Sequence, residues 1–176
     1  GNLSQDLDTW AKVCKQGIGG IDIDPNGEAI YFTNLFDKKI YKILLDADNN
    51  PTTTPIAADV TFYNIGNEAT YGYSGGNMRP WALKYYNDNL YVGIINDATN
   101  SQNKGDLRAS ILKIDIQTNT QTTVLEFPLN YTKGSPHSFW PNLGGFYPWL
   151  DDNTGPKISP HPLDNKALFL IYPEPI

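Results

Sequence analysis

The sequence predicts an all-β protein made of antiparallel four-stranded units. Apolar and polar residues alternate in short runs such as IDIDPNGEAIYFT at 21–33, and this period of two is typical of strands rather than helices. Turn residues separate the runs at short intervals, as they do in antiparallel sheets. In addition, one segment of the chain aligns with a later segment, which predicts a repeat architecture.

The N-terminal residues 1–17 differ from the rest and predict one short helix. Ser4 can cap its start, and Gly17 fits the left-handed position after its end. A thiol on the apolar stripe of this helix is expected to be buried and structural rather than nucleophilic. The apolar residues at helical spacing are Leu3, Leu7, Trp10 and Cys14.

Residues 24–27 allow two interpretations. Four residues match the helix-loop-helix calcium pattern, at Asp22, Asp24, Asn26 and Gly27. However, Thr33 occupies the position that should supply a bidentate Glu, and the flanks alternate with the period of strands. A tight turn explains the same residues, because Pro25 presets the backbone and Gly27 accepts the left-handed conformation. The sequence therefore predicts a hairpin here.

The segment at 21–50 aligns with the segment at 82–120. Each copy reads as strand, turn, strand, loop, strand, turn, strand, and four antiparallel strands form the blade of a β-propeller. A third copy begins near the C-terminus. The predicted organisation is an N-terminal helix and linker at 1–17, a first blade with a long loop at 18–80, a second blade with a long aromatic loop at 81–156, and the truncated start of a third blade at 157–176.

Two blades and part of a third form an incomplete ring, because propellers close with four to eight blades. Open strand edges and a blade face without a neighbour need protein to cover them. We expect the covering protein to be either the remainder of the chain's own propeller or another chain. The first residue, Gly1 rather than Met, is consistent with a processed chain or a piece of a longer one.

The long loops are predicted to share one end of the blades, because the strands alternate in direction. These loops are rich in Tyr, Trp and Arg, the residue types that anchor protein interfaces and stack on sugars. We therefore predict a partner-binding face for a protein or a glycan, although some of these rings could instead pack between the blades. The predicted contact residues are Tyr71, Tyr73, Arg79, Trp81, Phe139, Trp140, Tyr147 and Trp149.

Composition excludes some classes of function. The 176 residues are 40% hydrophobic and 18% charged, as in ordinary globular proteins. Lys and Arg number 13 against 19 Asp and Glu, giving a net charge of −6. The sequence contains no cluster of basic residues, so we expect no nucleic-acid partner. The single cysteine excludes a disulfide within the chain. No apolar run approaches the ~20 residues that cross a bilayer, so we expect no membrane insertion.

The sequence predicts no catalytic residues, no metal site and no cofactor. His137 and His161 are the only histidines, and they lack the spacing that places two ligands on one metal. The chain has no nucleophile elbow and no phosphate-binding glycine loop with its lysine. Acidic pairs at 46 and 48 and at 151 and 152 are typical of solvated turns.

Three blocks resemble a known family: GIGGIDIDPNGEAIYFTNLFDKKIYKI, RPWALKYYNDNLYVG, and FPLNYTKG with the YPWLDD region after it. They are similar to the β-propeller segment of large exported bacterial surface proteins that carry domains like the B repeats of serine-aspartate repeat adhesins. The resemblance spans about residues 10–176. It implies a secreted or cell-surface location and a role in adhesion or protein binding, and it implies no defined catalytic activity.

A second resemblance is to six-bladed calcium-dependent lactonases and related hydrolases. Those enzymes hold a metal at the central channel through Glu, Asn and Asp side chains from several blades. In this sequence the inner strands offer Asp22 and Lys84, and a Lys near the axis would oppose a divalent cation. We therefore favour a non-catalytic binding or scaffold module, with a lactonase-like hydrolase as the alternative.

Overall fold

The computed structural model describes residues 12, 15–48, 50–51, 59–66, 68–131, 146 and 148–149. These residues form eight strands and two short 3-10 helices. The strands are β1 Ile18–Ile23, β2 Ala29–Asn34, β3 Lys39–Leu44, β4 Val60–Asn64, β5 Met78–Tyr86, β6 Asn89–Asn96, β7 Arg108–Asp115 and β8 Gln121–Pro128, and the 3-10 helices are Glu68–Tyr71 and Lys104–Asp106.

The strands form two antiparallel sheets, each with its four strands in chain order. The first sheet contains β1 to β4 and the second contains β5 to β8. The all-β class and the four-stranded units predicted from the alternating pattern are therefore confirmed. Consecutive strands pair because each is joined to the next by a connection that reverses the chain.

The hairpin predicted at 24–27 is present. Gly27 adopts a positive φ of 74° and its N–H donates to Asp24 O at 3.1 Å. The Asp24 carboxylate accepts from the backbone nitrogens of Asn26 and Glu28 at 3.0 and 2.9 Å, which fixes the turn. The acidic group thus orders the hairpin between β1 and β2.

The hydrophobic core lies between the two sheets, and β1 and β2 both contact β5. It is formed by the two sheet faces that are turned toward each other. A glycine permits the closest approach, because a Cβ on Gly20 would lie 2.4 Å from Leu83 N. The buried residues of this core are Ala29, Tyr31, Ile40, Tyr63, Tyr73, Met78, Tyr85, Leu90, Val92, Ile94, Leu112 and Ile114.

Polar contacts also join the sheets. Asp22 Oδ2 on β1 accepts from Tyr85 N on β5 at 2.7 Å and forms an ion pair with Lys84 Nζ at 2.9 Å. The Thr33 hydroxyl donates to Trp81 O at 3.2 Å. Because these contacts link β1 and β2 to β5, they fix how the sheets are placed against each other.

No N-terminal helix is seen in the described residues. Most of the predicted segment, residues 1–11, 13 and 14, lies outside them. Its described part is a turn, in which the backbone nitrogens of Lys15 and Gln16 both donate to Lys12 O. Gly17, with a φ of 117°, then leads the chain into β1. The predicted third blade at 157–176 also lies outside the described residues.

Candidate binding surface

The connections between strands divide between the two ends of the sheets. Residues 35–38, 65–77 and 97–107 lie at the same end, which we call the loop end, and the chain leaves β8 at this end too. Contacts join these connections: Lys38 Nζ donates to Asn77 Oδ1 at 2.9 Å, Asn100 N donates to Gly75 O at 2.9 Å, and Trp149 N donates to Asp97 O at 2.9 Å. The loop end is therefore one continuous surface.

The eight predicted contact residues fall into three groups. Phe139, Trp140 and Tyr147 lie outside the described residues. Tyr71 and Tyr73 form a pair with ring centroids 6.3 Å apart. Arg79, Trp81 and Trp149 form a separate cluster at the loop end.

Tyr71 and Tyr73 pack inward rather than presenting their rings to a partner. Tyr73 is 8% exposed and belongs to the core between the sheets. Tyr71 packs against that core, and its hydroxyl donates to Gln121 Oε1 at 2.6 Å. Burial raises the pKa of both hydroxyls above the ordinary value. These two residues therefore stabilise the connection between the sheets.

Arg79 is held by a buried ion pair. Its Nε lies 2.5 Å from Asp97 Oδ2, and the Asp97 side chain is fully buried. The other carboxylate oxygen, Oδ1, accepts from Asn77 N at 2.7 Å and Thr99 N at 3.0 Å. Asp97 thus neutralises the guanidinium and also fixes the two connections at 65–77 and 97–107.

Only glycine fits beside this carboxylate at position 76. A Cβ on Gly76 would lie 2.3 Å from Ala98 N and 2.7 Å from Asp97 Oδ1. The two connections therefore touch through backbone atoms, which keeps Asp97 shielded from water. Shielding strengthens the attraction between the two charges but makes loss of either partner costly.

Trp149 covers the ion pair. Its backbone nitrogen donates to Asp97 O, and its carbonyl oxygen accepts from Gln102 Nε2 at 2.7 Å. Its ring centroid lies 5.1 Å from Arg79 Cζ and 5.8 Å from the Trp81 ring, with the two indoles inclined at 70°. We call Arg79, Trp81, Asp97, Gln102 and Trp149 the Trp149 cluster. Both tryptophans are half-buried residues.

The segment before Trp149 returns to the second sheet as well. Phe146 packs against a small buried cluster that includes Ala109 on β7, as do Ile95 on β6 and Phe127 on β8. Its ring meets Tyr131 edge to face, with centroids 5.2 Å apart. The described part of the long aromatic loop is thus attached at two places.

Sequence analysis identified Arg79, Trp81 and Trp149 but not Asp97 or Gln102. The sequence did contain a sign that Asp97 lies near Arg79. Counting residue pairs outward from the turn at 87–88 places Arg79 opposite the end of β6, and Asp97 follows that strand. The structure pairs Arg79 with Ile95, which brings the start of β5 beside Asp97. Nothing in the local sequence pointed to Gln102, since its role depends on the distant Trp149.

The acidic groups considered as metal ligands, Asp22 and Asp46, make structural contacts. The Asp22 carboxylate is occupied by Tyr85 N and Lys84, and Asp46 Oδ1 accepts from the backbone nitrogens of Asp48 and Asn50. Within the described ranges, no group of three or more His, Cys, Asp or Glu side chains is placed to hold a metal ion. The pair at 151 and 152 lies outside these ranges.

No family model, curated protein or solved structure matches this chain. In the part of the chain that the structure describes, no helix is long and apolar enough to cross a membrane. Inference about function therefore depends on the geometry of the loop end.

Proposed function

We propose that this chain is a non-catalytic binding or scaffold module of a secreted or cell-surface protein. The observation that carries the proposal is the Trp149 cluster, in which the indoles of two half-buried tryptophans from distant parts of the chain are held together at the loop end. A pair of fixed aromatic rings suits contact with a sugar ring or with apolar side chains of a protein. The contact surface centres on Trp81 and Trp149.

Arg79 has a positioning role in this proposal. Its charge is neutralised by Asp97 and its side chain is 9% exposed, so it supports the Trp149 ring rather than contacting a partner. The Trp81 Nε1 atom is buried and has no acceptor among the described residues.

The sheets belong, in this proposal, to an incomplete β-propeller. Two features support it. The inner strands β1 and β5 lie side by side, and Gln121 Nε2 at the start of β8 donates to Asn64 O at the end of β4 at 2.5 Å. These ends meet although they belong to opposite ends of their sheets, which is expected if each sheet twists strongly from its first to its last strand, as propeller blades do.

The lactonase-like alternative ranks second because Asp22, its candidate ligand, is already engaged by Lys84 and Tyr85 N. A turnover screen with lactones and simple esters, with and without calcium, separates the two functions. We expect no turnover above background. Calcium-dependent hydrolysis that disappears in Asp22→Asn would favour the hydrolase.

Binding is tested with two probes, an oligosaccharide array and a displayed peptide library. We expect the chain to select ligands from one of them and Trp149→Ala to lose those ligands while remaining folded. Leu125→Ser is the control, because Leu125 is 48% exposed on β8, outside the Trp149 cluster. Failure to select any ligand, or equal binding by Trp149→Ala, would contradict the proposal.

A further inference from the structure

A second aromatic pair lies at the loop end, at the point where the chain leaves β8. Tyr131 is 50% exposed, and its ring meets the Phe146 ring edge to face with centroids 5.2 Å apart. Phe146 in turn packs against the buried cluster that contains Ala98 and Leu129. These contacts limit the movement of an exposed ring, and a side chain that is already ordered loses little entropy when a ligand stacks on it.

The backbone at 97–98 connects this second pair to the Trp149 cluster. Asp97 O accepts from Trp149 N at 2.9 Å, and the next residue, Ala98, is fully buried in the cluster on which Phe146 packs. Phe146 and Trp149 are also only three residues apart in the chain, so their Cα atoms lie within about 11 Å of each other. Tyr131 and Trp149 therefore belong to one patch of the loop end.

Polar but uncharged side chains accompany these rings. The connection between β6 and β7 reads Thr-Asn-Ser-Gln-Asn at 99–103, and its last four residues are exposed. Gln102 Nε2 donates to Trp149 O at 2.7 Å, which holds this segment against the tryptophan. The charges of Arg79 and Asp97 in the same cluster neutralise each other. Amide and hydroxyl groups both donate and accept hydrogen bonds, as the hydroxyl groups of a sugar do.

We propose that the partner of the loop end is an uncharged oligosaccharide that stacks on both Trp149 and Tyr131, while residues 99–103 hydrogen-bond to its hydroxyl groups. This inference rests on the proposed binding function and names its ligand class and a further contact residue, Tyr131. Because the two rings belong to separate aromatic pairs, a ligand that stacks on both has to contain more than one sugar unit. A protein partner fits less well, since protein interfaces favour accessible arginine and Arg79 is buried against Asp97.

The test is an array of neutral glucose, mannose and N-acetylglucosamine oligosaccharides of increasing length, printed beside the monosaccharides and charged glycans. We expect the full chain to bind longer neutral oligosaccharides and no monosaccharide. Tyr131→Ala should weaken binding of the best oligosaccharide by about three- to tenfold. Tyr131→Leu keeps an apolar side chain against Phe146 but removes the ring, so it should lose as much. The matched control is Tyr86→Ala, which should bind as wild type, because Tyr86 is 67% exposed at the opposite end of β5.

The outcomes separate this inference from the proposed function. Ligands selected only from the peptide library, and lost in Trp149→Ala, would overturn the oligosaccharide while leaving a binding module. Preference for charged glycans over neutral ones, or equal binding by Tyr131→Leu and wild type, would also overturn it. If neither the array nor the library yields a ligand, the proposed function fails as well. Circular dichroism and melting temperature check that each variant is folded.

Discussion

Asp22 Oδ2 lies 2.7 Å from the backbone nitrogen of Tyr85, so a carboxylate on β1 completes the hydrogen bonding of β5. Its side chain is 15% exposed, whereas the side chain of its ion-pair partner Lys84 is 71% exposed. Burial acts to raise the pKa of Asp22, but the hydrogen bonds from Lys84 and Tyr85 N outweigh it and hold the pKa below its ordinary value of 3.8. The ionised form therefore stabilises the contact between the sheets.

Replacing Asp22 by Asn should lower the free energy of unfolding at neutral pH by about 1–2 kcal/mol. A group with a depressed pKa contributes stability above its unfolded-state pKa and loses it as pH falls through the folded-state pKa. The gap between wild type and variant should therefore close as the pH falls below about 4. Urea unfolding at several pH values measures this, and a gap that stays constant would disprove the role of the charge.

Lys84→Met is the matched variant for the other half of the same pair. Because the Lys84 side chain is largely exposed, its loss should change the free energy of unfolding by less than about 1 kcal/mol. A larger effect than that of Asp22→Asn would mean that the ion pair, rather than the bond to Tyr85 N, stabilises the contact.

Asp97→Ala should destabilise the protein by about 3–5 kcal/mol, because it leaves the buried Arg79 guanidinium without its counter-charge. Arg108→Met is the control: Arg108 pairs with Glu126 at 3.6 Å, and both side chains are more than a third exposed. That change should stay within about 1 kcal/mol. Chemical unfolding compares the two, and equal losses would contradict the structural role of Asp97.

Gly20→Ala should cost about 1–3 kcal/mol, because its Cβ would lie 2.4 Å from Leu83 N and force β1 away from β5. Gly105→Ala is the comparison, since its Cβ would meet only the Asn103 side chain, at 3.3 Å. Thermal unfolding of both variants tests the closeness of the two sheets. Similar melting temperatures for the two variants would show that the sheets can separate without loss.

The raised pKa of Tyr85 predicts a loss of stability at high pH. Burial, together with the hydrogen bond from its hydroxyl to Asp88, raises the pKa of Tyr85 from 10.0 to about 12. Stability from a raised pKa is complete below the unfolded-state value and lost as pH rises through the folded-state value. Wild type should therefore lose stability more steeply than Tyr85→Phe between pH 10 and 12. Parallel curves of unfolding free energy against pH would contradict this.

Local patterns in the sequence predicted much of the fold. Alternation and the turn at 24–27 gave the strands and the first hairpin, because both depend on neighbouring residues. In the structure Leu45 forms an isolated bridge with Pro51, and β4 runs from Val60 to Asn64.

The Trp149 cluster was harder to predict because it depends on long-range contacts. Composition pointed to Trp149 and Trp81, but burial places Tyr73 in the core between the sheets and Tyr71 against that core. Asp97, the ion-pair partner of Arg79, is separated from it by the whole β5–β6 hairpin. The register shift between Pro80 and Ala82 also changes which residue of β6 lies opposite Arg79, compared with counting outward from the turn. Which aromatic residues face solvent therefore follows from packing, not from residue type.

The central claim, that Trp81 and Trp149 form the contact surface, is tested most directly by nuclear magnetic resonance of the indole N–H groups. The chain has four tryptophans, and Trp→Phe variants assign their signals. On titration with a ligand selected from the array or the library, we expect the Trp81 and Trp149 signals to shift together. If the ligand binds and both of these signals remain unchanged, the contact surface lies elsewhere on the molecule.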